Sequence, residues 1–289
     1  MDSDFKIDAA MSCYFNCLFE DDAPYNEGSY TLFGWIALKA IPRQPERELL
    51  PLARAALSAW RAARPGTTRV GVPPQVIFHF ARYCIKHSEI HAAVAALLQF
   101  DLYARPSEIL DISGVDLVRP VKSLSDTWGI ILGNADRERR TKTGATDDII
   151  LADSPHRLWC GRLLQHVARG CLNIDVPVFS LTLAKYEDLF RHFSSLFKLP
   201  AGTFTPHTIR HSGPSFDAIH KFRTLTEIQQ RGRWASPSSV QRYKKPGRLL
   251  LHASRLPDAL KNDDPRIIQA ALTDILRCPW VTMSPEPTP

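Results

Sequence analysis

The chain lacks the features that would place it in a membrane or outside the cell. No apolar run approaches the ~18 residues that a membrane span needs, and the first ten residues are acidic, unlike a secretory signal. The six cysteines are scattered, and no two are spaced as C-x-x-C. This pattern predicts a reduced intracellular protein.

Internal repeats, low-complexity tracts and a metal-binding motif are also absent from the sequence. His87 and His91 lie one helical turn apart, but "HSEIH" is not an H-E-x-x-H motif and no third ligand is evident. We therefore expect neither a metal nor a cofactor. The 289 residues, 44% hydrophobic and 23% charged, are enough for two domains with a sizeable core.

Charge is distributed unevenly along the chain. The net charge is +6, yet residues 1–30 hold seven acids and one Lys, a net of −6, so the remainder carries +12. Residues 223–248 hold seven Lys or Arg and one acid, Glu227. A basic body predicts a polyanionic partner, with nucleic acid as the default. A basic surface that is merely solvated remains the alternative.

Hydrophobic periodicity divides the chain into a small helical unit and a larger body. Residues 1–64 predict about three helices, two of them over 29–40 and 51–64, with a core too thin to be independent. The Pro, Gly and Thr content of 65–74 indicates a linker. Further helices are predicted over 74–86, 89–104, 155–169, 182–197, 207–222 and 224–231.

Three strand-like stretches interrupt the helices, over 116–121, 128–132 and 148–151. The basic loop between the last two indicates the tip of a β-hairpin. The order of helices, a small antiparallel sheet and more helices is typical of an α+β fold. Near the end, 265–278 predicts an amphipathic helix.

Six side chains supply what cleavage of a phosphodiester needs in the absence of a metal. Two Arg forks can bind the charged oxygens of the phosphate, while Tyr, His and Lys can provide a nucleophile and transfer protons. The chain offers, in order, Arg105, Lys142, His207, Arg210, Trp234 and Tyr243.

In this combination the sequence resembles the tyrosine recombinases, the family of phage-type integrases. The four similar motifs are "ARPSEILDISGVDL" (104–117), "TKTGATDDIILAD" (141–153), "HTIRHS" (207–212) and "RGRWASPSSVQRYKK" (231–245). The resemblance implies a mostly helical catalytic domain with a small antiparallel sheet over 75–250. It makes residues 1–64 a partial core-binding domain and 251–289 a C-terminal tail.

The resemblance also implies a role for each matching residue. Arg105 and Arg210 would hold the scissile phosphate of double-stranded DNA, and Lys142 would protonate the departing 5′ oxygen. His207 would assist proton transfer, and Tyr243 would form a 3′-phosphotyrosyl link. Trp234 would brace the phosphate, because an indole N–H only donates.

Supporting and DNA-contacting residues follow from the same comparison. Glu108 and His211 are interpreted as packing behind the catalytic residues, and a catalytic role for His211 is the alternative. Arg105 can also simply pair with Glu108, and Trp234 can be pure core. Arg139 and Arg140 compete with Lys142 for the hairpin role. Residues expected to contact DNA are Arg139, Arg140, Arg231, Arg233, Arg242, Lys244 and Lys245.

Two departures from the family pattern leave a second function open. Pro214 lies inside the predicted 207–222 helix, where it can introduce a kink that misplaces Arg210. The N-terminal unit is short and begins with an acidic stretch. The sequence therefore predicts a recombinase or integrase of a mobile element, or else a catalytically decayed DNA-binding remnant. A type IB topoisomerase, which shares this chemistry, is a more distant third.

Expectations about assembly and location depend on the recombinase interpretation. A homo-oligomer is expected, dimeric on one DNA site and tetrameric in synapsis, without membrane association. The 265–278 helix is expected to dock on a neighbouring protomer, or otherwise to fold back on its own domain. The expected location is the nucleus in a eukaryote, or else the cytoplasm or nucleoid.

Overall fold

A computed structural model describes residues 3–39, 49–64, 71–133, 148–241, 243, 246–261 and 264–282. The chain forms two compact units, Met1–Thr68 and Arg69–Pro289. Their boundary falls inside the predicted 65–74 linker. Val72 is buried in the second unit, where its N–H donates to Ser212 Oγ at 2.8 Å.

The first unit consists of helices α1 (Ser3–Glu20), α2 (Tyr25–Leu38) and α3 (Pro51–Ala63). Its core is small, as the sequence predicts, and includes Phe15, Leu32 and Trp60. Asp8 of α1 is buried because its carboxylate accepts the Leu52 and Ala53 N–H groups at 3.0 and 2.8 Å. These donors have no partner within α3, so Asp8 caps that helix from another element.

The second unit is built around α5 (Ile90–Leu102), in which every residue from Ala92 onward is buried. A helix that is apolar on all sides is stable only inside a core. The surrounding helices are α4 (Pro74–Lys86), α6 (Pro106–Leu110), α7 (Trp159–Cys171), α8 (Leu183–Leu196), α9 (Pro206–His220), α10 (Leu225–Gly232) and α11 (Pro237–Gln241). No helix in the described part of the chain is long and apolar enough to cross a membrane.

The three predicted strands form one antiparallel sheet in the order β1–β2–β3, and this confirms the α+β class. They are β1 (Leu117–Val118), β2 (Gly129–Leu132) and β3 (Asp148–Leu151). Ile130 pairs with both Leu117 and Ile150. β1 is shorter than predicted and ends before Pro120, which has no N–H to donate to a neighbouring strand. The tip of the hairpin, 134–147, lies outside the described residues.

Helix α9 runs without interruption through Pro214, so the predicted disruption does not occur. Gly213 lies where α9 crosses the end of α5. A Cβ added to Gly213 would lie 2.1 Å from the Phe100 carbonyl oxygen and 2.7 Å from Tyr103 Cδ1. The absence of a side chain therefore brings α9, which carries Arg210, against the residues that precede Arg105.

We expect Gly213→Ala to lower the free energy of unfolding by about 1–3 kcal/mol, because α9 and α5 would have to separate. Gly161→Ala is the matched control, since no atom lies within 4 Å of its added Cβ. That variant should be neutral or more stable by up to ~1 kcal/mol. Urea unfolding followed by circular dichroism compares the two, and equal effects would contradict the close packing at Gly213.

The C-terminal residues belong to the second unit as helices α12 (Pro246–Ser254), α13 (Asp258–Lys261) and α14 (Pro265–Arg277). The apolar face predicted for α14 exists, but it packs on α4 of the same chain, with Ala271 and Ile275 fully buried. Of the two alternatives expected for this helix, packing on its own domain is the one observed. Trp280 stacks on His91 at 4.4 Å between ring centroids and holds the following segment to the same body.

Candidate active site

Arg105 lies at the start of α6, where Pro106 occupies the first helical position. The Glu108 carboxylate reaches back to accept the Arg105 N–H at 2.7 Å, and the two side chains also form an ion pair. The Arg105 side chain is only 17% exposed. Arg105 therefore pairs with Glu108, as the alternative interpretation held. This pairing holds the Arg105 guanidinium in the site.

Arg210 of α9 reaches the same carboxylate from a distant part of the chain. Its Nη1 donates to the Tyr103 carbonyl at 2.8 Å and lies 3.4 Å from Glu108 Oε2, while Nη2 donates to the Gly232 carbonyl at 2.9 Å. Arg210 is 5% exposed. The two arginines predicted to bind one phosphate therefore converge on Glu108.

Arg233 is a third arginine at this carboxylate. Its Nη2 donates to Glu108 Oε2 at 2.6 Å, and its side chain is 5% exposed. Arg233 was predicted to contact DNA, and it lies in this buried cluster and not among solvated surface cations. Its position follows from a left-handed turn at the end of α10, with φ of 54°. We call Arg105, Glu108, Arg210 and Arg233 the arginine cluster.

The arginine cluster carries an excess of positive charge, three guanidinium groups against one carboxylate. Burial and the neighbouring Arg105, followed by Arg233, lower the pKa of Arg210 to about 10, although Glu108 opposes the shift. Burial alone would raise the pKa of Glu108, but the nearby arginines outweigh it and hold that pKa below its usual value. A phosphate anion would neutralise part of this charge and match the planar donors of Arg.

Tyr243 lies close to this cluster and is almost fully buried. Its side chain is 4% exposed, and its ring packs against Trp234 with 5.0 Å between centroids. Trp234 in turn lies against Arg210, whose Cζ is 5.2 Å from the ring centroid. Trp234 therefore packs against both Arg210 and Tyr243.

His211 contacts the hydroxyl group of Tyr243 directly. Its Nδ1 lies 2.9 Å from the Tyr243 hydroxyl oxygen, within hydrogen-bond distance. The sequence analysis assigned His211 to packing and gave proton transfer to His207. His207 is exposed and lies one turn earlier on α9. The signal available in the sequence was the position of His211 next to Arg210, but nothing linked it to a tyrosine 32 residues away.

A cavity of about 500 Å³ opens on another side of the Tyr243 ring. Lys221, Arg223 and Thr224 contribute polar groups to its wall. The apolar part of the lining comes from Ala218, Ile219 and Leu225. The buried tyrosine ring therefore forms part of the wall of this cavity.

Arg231 does not face the solvent, contrary to its predicted contact with DNA. It is buried and donates to Asp101 Oδ2 at 2.8 Å and to Asp153 Oδ1 at 3.0 Å. Its charge is thus compensated inside the protein. Six other predicted residues lie outside the described part of the chain, namely Arg139, Arg140, Lys142, Arg242, Lys244 and Lys245.

The histidine pair considered as a metal site is divided between separate partners. His87 Nδ1 lies 2.8 Å from the Tyr83 carbonyl oxygen, and His91 Nδ1 accepts the Ser180 N–H at 3.0 Å. Within the described ranges, no three His, Cys, Asp or Glu side chains are grouped as metal ligands.

We expect Glu108→Gln to destabilise the protein by about 3 kcal/mol at neutral pH, because three arginines lose their shared counterion. Since the folded-state pKa of Glu108 is lowered, its contribution is complete above the usual glutamate value of about 4.3 and is lost as the pH falls through the lower folded value. Denaturation at about pH 7 and about pH 3 measures the difference from wild type.

The control for this prediction is Asp188→Asn, which removes one partner of an exposed ion pair with Arg191. Its effect should stay within ~0.5 kcal/mol. A Glu108→Gln difference that does not shrink on acidification would contradict the assignment of the lowered pKa to Glu108.

Two solved structures of the site-specific recombinase XerH resemble this chain at low similarity. One is bound to difH substrate in a pre-cleavage complex, with a TM-score of 0.43 and 13% identity over 68% of this chain and 61% of that chain. The other is bound to palindromic difH in a post-cleavage complex, with a TM-score of 0.47 and 13% identity over 72% and 67%. The chain thus spans less than two thirds of the first.

No family model matches the chain, and no curated protein matches it. The XerH similarities are too low to transfer a residue role or an activity.

Proposed function

We propose that the chain is a DNA strand transferase of the tyrosine recombinase type. The observation that carries the proposal is the convergence of Arg105, Arg210 and Arg233 on one carboxylate, next to a tyrosine whose hydroxyl contacts a histidine. Such a site can bind a phosphodiester and attack it without a metal. The basic composition of the chain beyond residue 30 supports a DNA substrate.

In the proposed reaction the arginine cluster binds the non-bridging oxygens of the scissile phosphate. The Tyr243 hydroxyl oxygen attacks phosphorus, the bond to the 5′ oxygen breaks, and its electron pair stays on that oxygen. His211 accepts the phenolic proton, and Lys142 supplies a proton to the departing oxygen. The products are a 3′-phosphotyrosyl link and a free 5′ hydroxyl, and a second DNA hydroxyl reverses the step without ATP.

Access to Tyr243 is part of the proposed cycle. Because the side chain is 4% exposed, the hydroxyl has to become accessible before it can reach a phosphate. The cavity lined by Lys221, Arg223 and Thr224 gives the ring room to move. We infer that DNA binding makes the Tyr243 hydroxyl accessible to the scissile phosphate.

The partners follow from this chemistry. Double-stranded DNA is the proposed substrate, and two DNA sites held by a homo-oligomer would allow strands to be exchanged. The proposed location is where that DNA lies, the nucleus in a eukaryote and otherwise the cytoplasm or nucleoid. Integration of a mobile element is the proposed biological setting.

The test uses nicked suicide duplexes tiled from the DNA that flanks the coding sequence. Cleavage near a nick releases a short fragment that cannot religate, so the covalent complex accumulates and migrates slowly on a denaturing gel. We expect a protease-sensitive adduct on at least one duplex. Binding to the same duplexes without any adduct would overturn the proposal and leave a DNA-binding remnant.

A further inference from the structure

A network of buried charges lies directly behind the arginine cluster. Arg157, in the segment before α7, binds Asp101 through Nε and binds Asp217 through both Nη atoms, with Nη2 to Oδ2 at 2.8 Å. Arg231 binds the other oxygen of Asp101. Both carboxylates are completely buried, and Arg157 is 4% exposed. We call Asp101, Arg157, Asp217 and Arg231 the buried ionic network.

The buried ionic network holds both carbonyl groups that bind Arg210. The first carbonyl belongs to Tyr103, two residues after Asp101. The Tyr103 hydroxyl also donates to the Asp217 carboxylate. The second belongs to Gly232, which directly follows Arg231. Arg231 also donates from Nε to the Asp101 carbonyl at 2.9 Å, so the two turns are tied to each other.

These turns have a backbone conformation that needs such support. Tyr103 has φ of 53°, and Arg233, next to Gly232, has φ of 54°. For residues other than glycine this left-handed conformation costs roughly 1–2 kcal/mol. The contacts of Tyr103 and Arg231 with the network therefore support both turns in this conformation.

The same network reaches the strand that returns from the β-hairpin. Arg231 Nη1 donates to the Leu151 carbonyl at 2.8 Å and to Asp153 Oδ1 at 3.0 Å, both at the end of β3. Arg223 pairs with Asp153 as well. Asp101, Asp153 and Asp217 balance Arg157, Arg223 and Arg231, so the network adds no net charge for binding DNA.

We propose that Arg157 is a positioning residue that acts on the reaction through Arg210. By bridging Asp101 and Asp217 it fixes the two turns whose carbonyls orient the Arg210 guanidinium. This inference rests on the proposed function of Arg210 as a phosphate clamp. A displacement of about 1 Å at a reacting group can cost on the order of a hundredfold in rate. Buried ion pairs contribute little net stability when compared with apolar packing, so a purely stabilising role explains the network poorly.

The test compares Arg157→Lys with Asp217→Asn and with a remote core control, Ile275→Ala in α14. Lysine keeps the charge of Arg157 but cannot bridge both carboxylates. Single-turnover adduct formation is measured at saturating DNA, at a temperature where each protein is fully folded by circular dichroism. We expect Arg157→Lys to slow adduct formation on the order of ten- to a hundredfold, while Ile275→Ala keeps the wild-type rate.

A double-mutant cycle with Arg210→Lys separates positioning from general structural damage. If Arg157 acts through Arg210, its replacement should slow the Arg210→Lys variant by no more than about twofold. Losses that simply multiply would overturn the proposal. A wild-type rate of adduct formation in a folded Arg157→Lys protein would also overturn the proposal.

A second readout does not depend on activity. The ¹⁵N signal of Arg210 Nε–H, identified by its absence in Arg210→Lys, should shift and exchange faster with water in Arg157→Lys but not in Ile275→Ala. An unchanged signal would overturn the positioning role. If the wild-type protein forms no adduct, the proposed function fails. The Arg210 Nε–H signal alone then tests whether Arg157 positions Arg210. Failure of both network variants to fold would assign the network to stability and reject positioning.

Discussion

Tyr243→Phe is expected to abolish the covalent DNA adduct completely while DNA affinity stays at the wild-type level. The substitution removes one oxygen and keeps the ring that packs on Trp234. It also removes the hydroxyl that contacts His211 Nδ1. His211 is half-buried and retains access to water. Adduct formation on suicide duplexes and DNA binding by fluorescence anisotropy measure the two properties separately.

Tyr186→Phe is the matched control for the loss of a phenolic oxygen. The Tyr186 hydroxyl is fully buried and donates to Gln99 Oε1 at 3.1 Å, away from the arginine cluster. This variant should lose some stability but form the adduct. Wild-type adduct yield from Tyr243→Phe would mean that another residue attacks the phosphate.

Arg210→Ala is expected to slow adduct formation by a hundredfold or more without removing the nucleophile. A single donor that stabilises transition-state charge is typically worth ~3 kcal/mol. The substitution also leaves the buried Tyr103 and Gly232 carbonyls without their donor, so a lower melting temperature should accompany the slower rate.

Arg210→Lys is the control that keeps a positive charge but loses the paired donors. Its rate should fall between those of wild type and Arg210→Ala. A slow residual reaction in the Arg210 variants, with none in Tyr243→Phe, distinguishes a phosphate clamp from a nucleophile. Full activity of a folded Arg210→Ala protein would contradict the clamp.

The sequence predicted the elements that carry the site because local patterns specify them. Apolar residues at helical spacing predicted a helix over 207–222, where α9 lies, and short apolar runs predicted strands over 128–132 and 148–151, where β2 and β3 lie. The resemblance to the tyrosine recombinases also implied that Arg105 and Arg210 approach each other, and both contact Glu108.

The contacts within the site could not be predicted in the same way, because they depend on tertiary packing. Arg231 and Arg233 are separated only by Gly232, and both resemble surface cations in the sequence. The left-handed turn at Arg233 directs its side chain to Glu108, while Arg231 pairs with Asp101 and Asp153. No local sequence pattern distinguishes these two buried arginine side chains from arginines on a solvated surface.

The sequence also could not predict which element packs against the apolar face of α14. The periodicity of α14 correctly marked an apolar face, and the structure shows that it covers α4. Periodicity indicates that one face of a helix is apolar and will be buried. It does not indicate whether that face packs against the same chain or against another. The effect of Pro214 was overestimated for a similar reason, because burial of α9 against α5 holds the helix together around it.

The most direct test of the central claim is to locate the covalent bond. The wild-type adduct on a nicked suicide duplex is digested with nuclease and protease, and the modified peptide is sequenced by mass spectrometry. The account predicts a 3′-phosphonucleotide attached to Tyr243 and a free 5′ hydroxyl on the released fragment. Attachment at any other residue, or a 5′-linked nucleotide, would contradict it.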